Sequence, residues 1–174
     1  MKGRWFILFL IALAAVSGIY FLLHQGSGSG PKIGDPAPDF SLSDRRGQST
    51  TLSEFRGKVV LLNFWATWCG PCQHEMPSLE ALYERYREKN FVVLGVSLDE
   101  EGWVAIDAFL KQVPVQFPIL LDSVQKTSEL YQVYRIPETY LIDAQGKIVD
   151  KFVGPQDYDQ DLFYKKIERF LPPS

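Results

Sequence analysis

Cysteine and histidine are scarce in this chain of 174 residues, which has only Cys69, Cys72, His24 and His74. Two cysteines form at most one disulfide, so a fold held together by several bridges is excluded. A tetrahedral zinc site needs four ligands, and His24 lies far upstream of the other three candidates, so we predict no bound metal. The formal net charge is −3, and the absence of a basic patch argues against nucleic acid as a partner.

Charged residues are absent from residues 5–23, a run that is mostly apolar. As a helix this run would measure roughly 28 Å, about the thickness of the hydrocarbon core of a bilayer. Lys2 and Arg4 precede it and the next charge is Lys32, so the positive-inside bias predicts that residues 1–4 are cytoplasmic and that the rest lies outside. The sequence therefore predicts a transmembrane anchor.

A cleaved signal peptide is the alternative for this segment, because small residues at 14–18 would suit a cleavage site. The apolar run continues through Leu23, beyond that position, which favours an uncleaved signal-anchor. Residues 24–32 are predicted to form a flexible linker, whose Gly-Ser repeat has a root-mean-square reach on the order of 12 Å. Residues 33–174 are then predicted to form one domain with a single core.

The two cysteines lie in the sequence Trp-Cys-Gly-Pro-Cys at 68–72. An apolar run at 58–65 predicts a buried strand before them, and the stretch from Pro71 to about Lys89 predicts a helix after them. A strand followed by a helix that begins at Cys-x-x-Cys is typical of a redox-active dithiol. We therefore predict that the pair opens and closes one small disulfide ring.

The start of a helix gives the two cysteines different chemical roles. At Cys69 the free backbone N–H groups and the positive end of the helix dipole favour the thiolate, which lowers the pKa and makes this sulfur the attacking one. Cys72 lies one turn further along and deeper, so it is placed to resolve a mixed disulfide. Pro71 needs no hydrogen-bond partner for its nitrogen at this position and presets the helical backbone.

Several blocks of the sequence carry a family resemblance. Residues 63–77 contain the Cys-x-x-Cys and a later proline, residues 136–143 read Ile-Pro-Glu-Thr-Tyr-Leu-Ile-Asp, and residues 37–40 and 52–58 form a third block. These blocks resemble the active-site, cis-proline and opening-hairpin blocks of the TlpA/ResA-like group of membrane-anchored thiol-disulfide oxidoreductases, which have a thioredoxin-like fold. The resemblance spans residues 33–171.

The resemblance implies roles for residues on both sides of the expected cleft. Pro137 matches the cis-proline that faces the cysteines, and the backbone of Ile136 would pair with the substrate chain; the alternative for Pro137 is an ordinary turn proline. Glu75 matches a glutamate kept near the active site, where a carboxylate could exchange a proton with Cys72. Its alternative is a solvated glutamate in the first helical turn. Pro77 would kink the helix.

Asn63 departs from soluble thioredoxins, which carry a buried aspartate at this position. An amide cannot accept the proton of Cys72, so that task would pass to Glu75 or to water, and Asn63 would be a hydrogen-bonded core amide. Trp68 immediately precedes the first cysteine, so its rigid apolar face is predicted to lie at the cleft rim and contact a substrate peptide.

The order of elements predicts an α/β sandwich with a mixed central sheet. The resemblance implies that this is a thioredoxin-like sandwich of three layers. After the active-site helix we predict, in chain order, a strand at 91–98, a helix at 102–112, a strand at 117–121, a helix at 123–133, a hairpin of 139–143 with 148–153, and a helix at 157–171. The resemblance identifies the segment 102–121 as a central insertion and the opening hairpin as an N-terminal extension.

The resemblance implies an extracytoplasmic enzyme of the bacterial cytoplasmic membrane, with its catalytic domain on the periplasmic or outer side. Gly70 and Pro71 match the reducing dipeptide of thioredoxin, so we expect the enzyme to reduce disulfides in partner proteins, for example apocytochrome c during cytochrome c maturation. A membrane electron-donor protein of the DsbD/CcdA type is expected to supply electrons. The Cys69–Cys72 disulfide would be the redox centre, with no other cofactor.

Two other functions remain open. A copper-assembly protein of thioredoxin fold would bind metal with two cysteines and a distant histidine, but such proteins use a wider cysteine spacing, and no histidine follows His74. A peroxidase of the peroxiredoxin type is suggested by residues 37–40, but its catalytic cysteine needs a threonine upstream and an arginine downstream in one pocket. The Cys-Gly-Pro-Cys block fits that arrangement poorly.

Overall fold

A mixed sheet forms the centre of the computed structural model, which describes residues 30–172. In chain order its strands are β1 (Ser41–Ser43), β2 (Ser49–Thr51), β3 (Val59–Trp65), β4 (Phe91–Ser97), β5 (Ile119–Leu121), β6 (Glu138–Ile142) and β7 (Ile148–Val153). Across the sheet the order is β2-β1-β5-β4-β3-β6-β7. The strand that leads to the two cysteines, β3, therefore lies in the interior of the sheet.

β3 and β4 form a fully buried parallel pair in the interior of the sheet. The pairing runs from Val59 opposite Phe91 to Trp65 opposite Ser97, and every residue of both strands is buried. β5 continues parallel beside β4, whereas β6 runs antiparallel to β3 and pairs with β7. Burial on both faces explains why β3 and β4 read as continuous apolar runs in the sequence.

Helices cover both faces of this sheet. They are α1 (Gly70–Tyr86), α2 (Trp103–Leu110), α3 (Lys126–Tyr131) and α4 (Asp161–Phe170), with a short 3₁₀ helix at Leu52–Phe55. Side chains of α1, α2 and α4 pack in one core cluster, and Tyr131 of α3 packs in the other. Alternate residues of β3 supply the two clusters, with Leu61 in the first and Leu62 in the second. The predicted three-layer α/β sandwich is confirmed.

The two additions to the minimal fold are also present. β1 and β2 form the predicted N-terminal hairpin, which joins the main sheet through one antiparallel pair, Ser43 opposite Leu121. α2 and β5 form the predicted central insertion between β4 and α3. The strand β5 of the insertion thus extends the sheet, and the hairpin of β1 and β2 pairs with β5 at the edge of the sheet.

All four described helices are shorter than the sequence predicts, and the difference is largest for α3 and α4. The helix predicted at 123–133 is limited to α3, because Gln125 and Gln132 adopt left-handed φ angles of 56° and 53° at its two ends. The helix predicted at 157–171 begins only at Asp161, since residues 154–160 form a loop whose backbone N–H groups bind other parts of the protein. The second difference arises from contacts that local sequence patterns do not encode.

No helix within residues 30–172 is both long enough and apolar enough to cross a bilayer. The predictions for residues 1–4, for the anchor at 5–23 and for most of the linker at 24–32 concern a part of the chain outside the described residues. They stay predictions.

Candidate active site

Cys69 and Cys72 form a disulfide at the start of α1. Cys69 is the N-cap residue, and its sulfur accepts a hydrogen bond of 3.2 Å from the backbone N–H of Cys72. Cys69 is 6% exposed and Cys72 is fully buried. Once the disulfide is reduced, the helix terminus favours a thiolate at Cys69, and the difference in exposure makes this sulfur the accessible one.

The first turn of α1 has the composition that a helix start favours. Pro71 occupies the beginning of the helix, where its missing N–H leaves no hydrogen bond unmade, and Gly70 precedes it. α1 continues through Pro77 to Tyr86 without interruption. The kink that the sequence predicts at Pro77 stays a prediction.

A buried carboxylate holds the loop that leads into Cys69. Asp99, just after β4, is fully buried and accepts hydrogen bonds from both the backbone N–H and the hydroxyl of Thr67, and from the hydroxyl of Ser97. The amide of Gln73 in α1 donates to the carbonyl of Thr67. These contacts fix the turn between β3 and α1 and so position Cys69.

The segment before β6 faces the disulfide. The Ile136–Pro137 peptide bond is cis, as the resemblance implies. The carbonyl oxygen of Ile136 lies 3.7 Å from the sulfur of Cys69. This is a contact and not a hydrogen bond, because a disulfide sulfur carries no proton. The carbonyl of Pro137 accepts the backbone N–H of Gly154, which ties the segment to the loop after β7.

Glu75 lies one turn after Cys72 and is only 2% exposed. One carboxylate oxygen accepts a hydrogen bond of 2.7 Å from the amide of Asn63, and the other accepts one of 3.1 Å from the backbone N–H of Gln156. Burial raises the pKa of Glu75 from its ordinary value to about 7, although both hydrogen bonds act in the opposite direction. This carboxyl group can therefore take up or release a proton near neutral pH.

Asn63 connects Glu75 to two further buried side chains. Its amide nitrogen also donates to the hydroxyl of Thr139 at 2.9 Å, and this hydroxyl accepts a bond of 2.8 Å from the hydroxyl of Tyr158. Asn63, Thr139 and Tyr158 are all buried. Burial raises the pKa of Tyr158, so its phenol is neutral wherever Glu75 titrates.

The two tryptophans near the cysteines differ in exposure. Trp68 is 66% exposed immediately before Cys69, as its predicted position at the cleft rim requires. Trp65 is fully buried at the end of β3 and packs against Phe109 of the insertion, with 5.4 Å between ring centroids. The first is available to a partner, whereas the second supports the site from below.

The structure brings several of the predicted site residues into contact. The carbonyl of Ile136 contacts the sulfur of Cys69, and Glu75 contacts Asn63. Sequence reasoning missed Asp99, Thr139, Gln156 and Tyr158. Thr139 had a usable signal, since it belongs to the cis-proline block and a strand places it beside Asn63 of β3. The other three come from loops with no local pattern.

Metal-ligating side chains do not cluster in the part of the chain that the structure describes. Within residues 30–172, no three histidine, cysteine, aspartate or glutamate side chains are close enough to hold a metal ion together. His74 lies on α1 two residues after Cys72, and His24 lies outside the described residues. The Cys69–Cys72 disulfide and the carboxyl group of Glu75 support thiol and proton exchange.

Comparison with known proteins gives the same assignment. Residues 33–151 match the AhpC/TSA family. The thiol-disulfide oxidoreductase ResA of Bacillus cereus strain ATCC 10987 / NRS 248 is 36% identical over 170 residues, which are 95% of this chain and 98% of that protein. ResA of Oceanobacillus iheyensis is 37% identical over 91% of this chain and 86% of that protein.

Solved structures agree with the fold and the chemistry. A Chlorobium tepidum protein assigned as the thiol:disulfide interchange protein DsbE superposes with a TM-score of 0.75 at 37% identity, over 82% of this chain and 99% of that chain. StoA from Bacillus subtilis has a TM-score of 0.62 at 25% identity, over 71% and 93% of the two chains. The chain belongs to the AhpC/TSA family of thioredoxin-like proteins, and it is a thiol-disulfide oxidoreductase.

Proposed function

We propose that this oxidoreductase is anchored in the bacterial cytoplasmic membrane by residues 5–23 and reduces disulfides of proteins on the outer side. The observation that carries the chemistry is the Cys69–Cys72 disulfide at a helix start, with a titrating carboxyl group, Glu75, one turn behind it. The anchor is supported by the uncharged run in the sequence. The direction of electron flow is supported by the reducing Gly-Pro dipeptide between the cysteines.

In the proposed reaction the thiolate of Cys69 attacks one sulfur of a substrate disulfide. A bond forms between Cys69 and the substrate, and the second substrate sulfur leaves as a thiolate that takes a proton from water. The sulfur of Cys72 then attacks Cys69, forms the internal disulfide and releases the first substrate sulfur. Two electrons have passed to the substrate, and the enzyme is oxidised.

Glu75 is the proposed acceptor of the proton that Cys72 loses in the second step. Cys72 is fully buried, so the thiolate does not form readily there without a nearby base. A carboxyl group with a pKa of about 7 is suited to this exchange near neutral pH, because both of its protonation states are populated. Asn63 supports the carboxylate and takes no proton itself.

Substrate binding is proposed to use the surface around Cys69. Trp68 offers an exposed apolar face on one side, and the Ile136–Pro137 segment offers backbone groups on the other. A peptide in extended conformation would hydrogen-bond with the backbone of Ile136. Candidate substrates are apocytochrome c, whose heme-attachment cysteines must be reduced, and other oxidised proteins of that compartment.

A donor is needed to return the enzyme to the dithiol form. Thiols outside the cytoplasm tend to become disulfides, so electrons must be sent across the membrane. A membrane electron-transfer protein of the DsbD/CcdA type is the proposed donor. It would transfer two electrons to the Cys69–Cys72 disulfide by the same exchange chemistry, with the donor's own dithiol becoming oxidised.

A trapping experiment tests this proposal directly. The full-length Cys72→Ser variant, reduced and incubated with a synthetic peptide that carries an oxidised Cys-x-x-Cys-His motif, should accumulate a mixed disulfide through Cys69, because the resolving sulfur is missing. The matched Cys69→Ser variant should accumulate none. Equal trapping by both variants, or by neither, would contradict the assigned roles of the two cysteines.

The anchor needs its own test. In cells that express the full-length chain, the protein should sediment with membranes and resist carbonate extraction. It should be cleaved by protease added outside intact spheroplasts. A chain that carbonate releases from the membrane, or one that external protease cannot reach, would contradict the proposed location while leaving the thiol chemistry intact.

A further inference from the structure

The amide of Asn63 uses both of its protons inside the protein. One is donated to Glu75 at 2.7 Å and the other to the hydroxyl of Thr139 at 2.9 Å. The amide oxygen of Asn63 is buried and has no hydrogen-bond partner among the described residues. The orientation of this amide is therefore set by the two acceptors on its nitrogen side.

The orientation of the Asn63 amide decides which protonation state of Glu75 is favoured. With its nitrogen toward Glu75, the amide donates a proton and stabilises the carboxylate. Rotated by half a turn, it would present its oxygen, which repels a carboxylate and accepts a hydrogen bond from a protonated carboxyl group. Any residue that fixes the amide orientation thereby controls proton exchange at Glu75.

Thr139 and Tyr158 are placed to fix the orientation of the Asn63 amide. The Thr139 hydroxyl accepts hydrogen bonds from both Asn63 and Tyr158, and all three side chains are buried. Loss of that hydroxyl would leave one amide proton of Asn63 buried and unpaired, which is unfavourable. Rotation of the amide then costs one hydrogen bond fewer, because the bond to Thr139 is already gone and the amide oxygen has none to lose.

We propose that Thr139 and Tyr158 are positioning residues for proton exchange at Glu75, and that they act by holding the Asn63 amide with its nitrogen toward the carboxylate. In this role they act through the Asn63 amide and not on the cysteines. The inference rests on the proposed function only for its catalytic consequence. The effect on the titration of Glu75 is a property of the network itself.

The groups that face Glu75 come from several elements. β3 contributes the Asn63 amide, the loop after β7 contributes the backbone N–H of Gln156 and the Tyr158 phenol, and α1 carries Cys72 one turn earlier. Tyr158 is neutral because burial raises its pKa, and Cys72 carries no proton while the disulfide is intact. In the oxidised protein, Glu75 is therefore the group that titrates near neutral pH in this set.

The test is a titration of Glu75 in the oxidised full-length chain in mild detergent, followed by the ¹³C shift of its side-chain carboxyl. Thr139→Val removes the hydroxyl with little change of shape and should raise the midpoint by about one pH unit, a tenfold gain in proton affinity. Tyr158→Phe should raise it by about half as much. Thr139→Ser keeps the hydroxyl and should leave the midpoint within about 0.3 unit of wild type.

A second set of variants separates positioning from general destabilisation. In an Asn63→Leu background, Thr139→Val should produce no further shift, because the amide through which it acts is gone. If Thr139→Val fails to fold, the Tyr158→Phe comparison in both backgrounds carries the same test. An unshifted midpoint in both single variants, or an equal shift with and without Asn63, would overturn the inference.

Failure of the proposed function gives a different result. If Glu75 has no catalytic role, Glu75→Gln will leave the rate of disulfide release unchanged, whatever the titration shows. If the network does not position the amide, the midpoints will not move, whatever the rates show. The two measurements therefore report on the two claims separately.

Discussion

Glu75 and Asp99 are two buried acidic side chains, and they differ in the donors that surround them. Asp99 accepts hydrogen bonds from the N–H and hydroxyl of Thr67 and from the hydroxyl of Ser97, so both oxygens are well supplied. Glu75 accepts one bond at each oxygen. Burial dominates over these two bonds and raises the pKa of Glu75 to about 7.

The comparison shows that burial of a carboxylate does not by itself define its role. The hydrogen-bond donors of Thr67 and Ser97 make Asp99 a structural residue, which holds the turn before Cys69 in place. Sparse donors leave Glu75 able to change its protonation state behind Cys72. The difference between the two sites lies in how many N–H and O–H groups the fold directs at each carboxylate.

The largest effect is expected from removal of the Asp99 carboxylate, which holds the turn before Cys69. Asp99→Ala leaves the N–H and hydroxyl of Thr67 and the hydroxyl of Ser97 without their acceptor, so the free energy of unfolding should fall by about 4 kcal/mol. Urea denaturation of the oxidised protein at pH 8 measures this. Ser97→Ala removes one donor to the Asp99 carboxylate and the acceptor of the Asp99 backbone N–H, and it should cost about 2 kcal/mol. Equal losses of unfolding free energy in Asp99→Ala and Ser97→Ala would contradict the assignment of Asp99 as the residue that holds this turn.

Glu75 should make the stability depend on pH. Its pKa in the folded state, about 7, exceeds the ordinary value of 4.5, so the folded protein binds this proton more tightly than the unfolded chain does. The stabilisation is full below pH 4.5 and is lost as the pH rises through 7, a decline of about 3 kcal/mol. Urea denaturation across this range should show the decline in wild type and its absence in Glu75→Gln. A parallel decline in both proteins would contradict the raised pKa.

The rate of product release should also distinguish the role of Glu75 from that of Asp99. Glu75→Gln cannot accept a proton, so release of product from the mixed disulfide should slow by about a hundredfold above pH 7. The rate in wild type should rise with pH about a midpoint near 7, and that midpoint should disappear in the variant. Stopped-flow measurement of Trp fluorescence checks this, with Ser97→Ala as the control that should keep the midpoint. A wild-type midpoint that survives in Glu75→Gln would assign the proton to another group.

The smallest effect is expected from substitution of Trp68, at the exposed rim of the cleft. Trp68→Ala removes an apolar surface that is 66% exposed, so KM for a peptide disulfide should rise by about fivefold with little change in kcat. The pH midpoint of the reaction should stay near that of wild type, because Trp68 is absent from the Glu75 network. A large fall in kcat would show that Trp68 acts on the chemistry and not on binding.

Local patterns in the sequence were sufficient for the redox pair and for most of the fold. The Cys-x-x-Cys follows an apolar run that predicts a buried strand, and Glu75 lies one helical turn from Cys72. The resemblance supplied the cis-proline, which periodicity alone does not reveal. The order of strands and helices followed from alternating apolar and amphipathic segments, and it is the order observed.

Long-range contacts account for what the sequence did not predict. Gln156 reaches Glu75 through a backbone N–H, a group that every non-proline residue has, so no side-chain pattern marks it. Tyr158 lies in the same loop and was assigned to a helix, because Asp157 resembles the acidic start of one. Asp99 contacts Thr67 across 32 positions of the sequence. These contacts depend on which strands are neighbours in the folded sheet.

A redox titration tests the central claim most directly. The full-length chain would be equilibrated with a series of dithiothreitol redox buffers, and the state of Cys69 and Cys72 followed by Trp fluorescence and by thiol alkylation. The account predicts one reversible two-electron transition near the potential of thioredoxin, about −270 mV. A potential near about −120 mV would make the protein a disulfide donor and contradict the proposed direction, and the absence of any reversible transition would contradict the redox function itself.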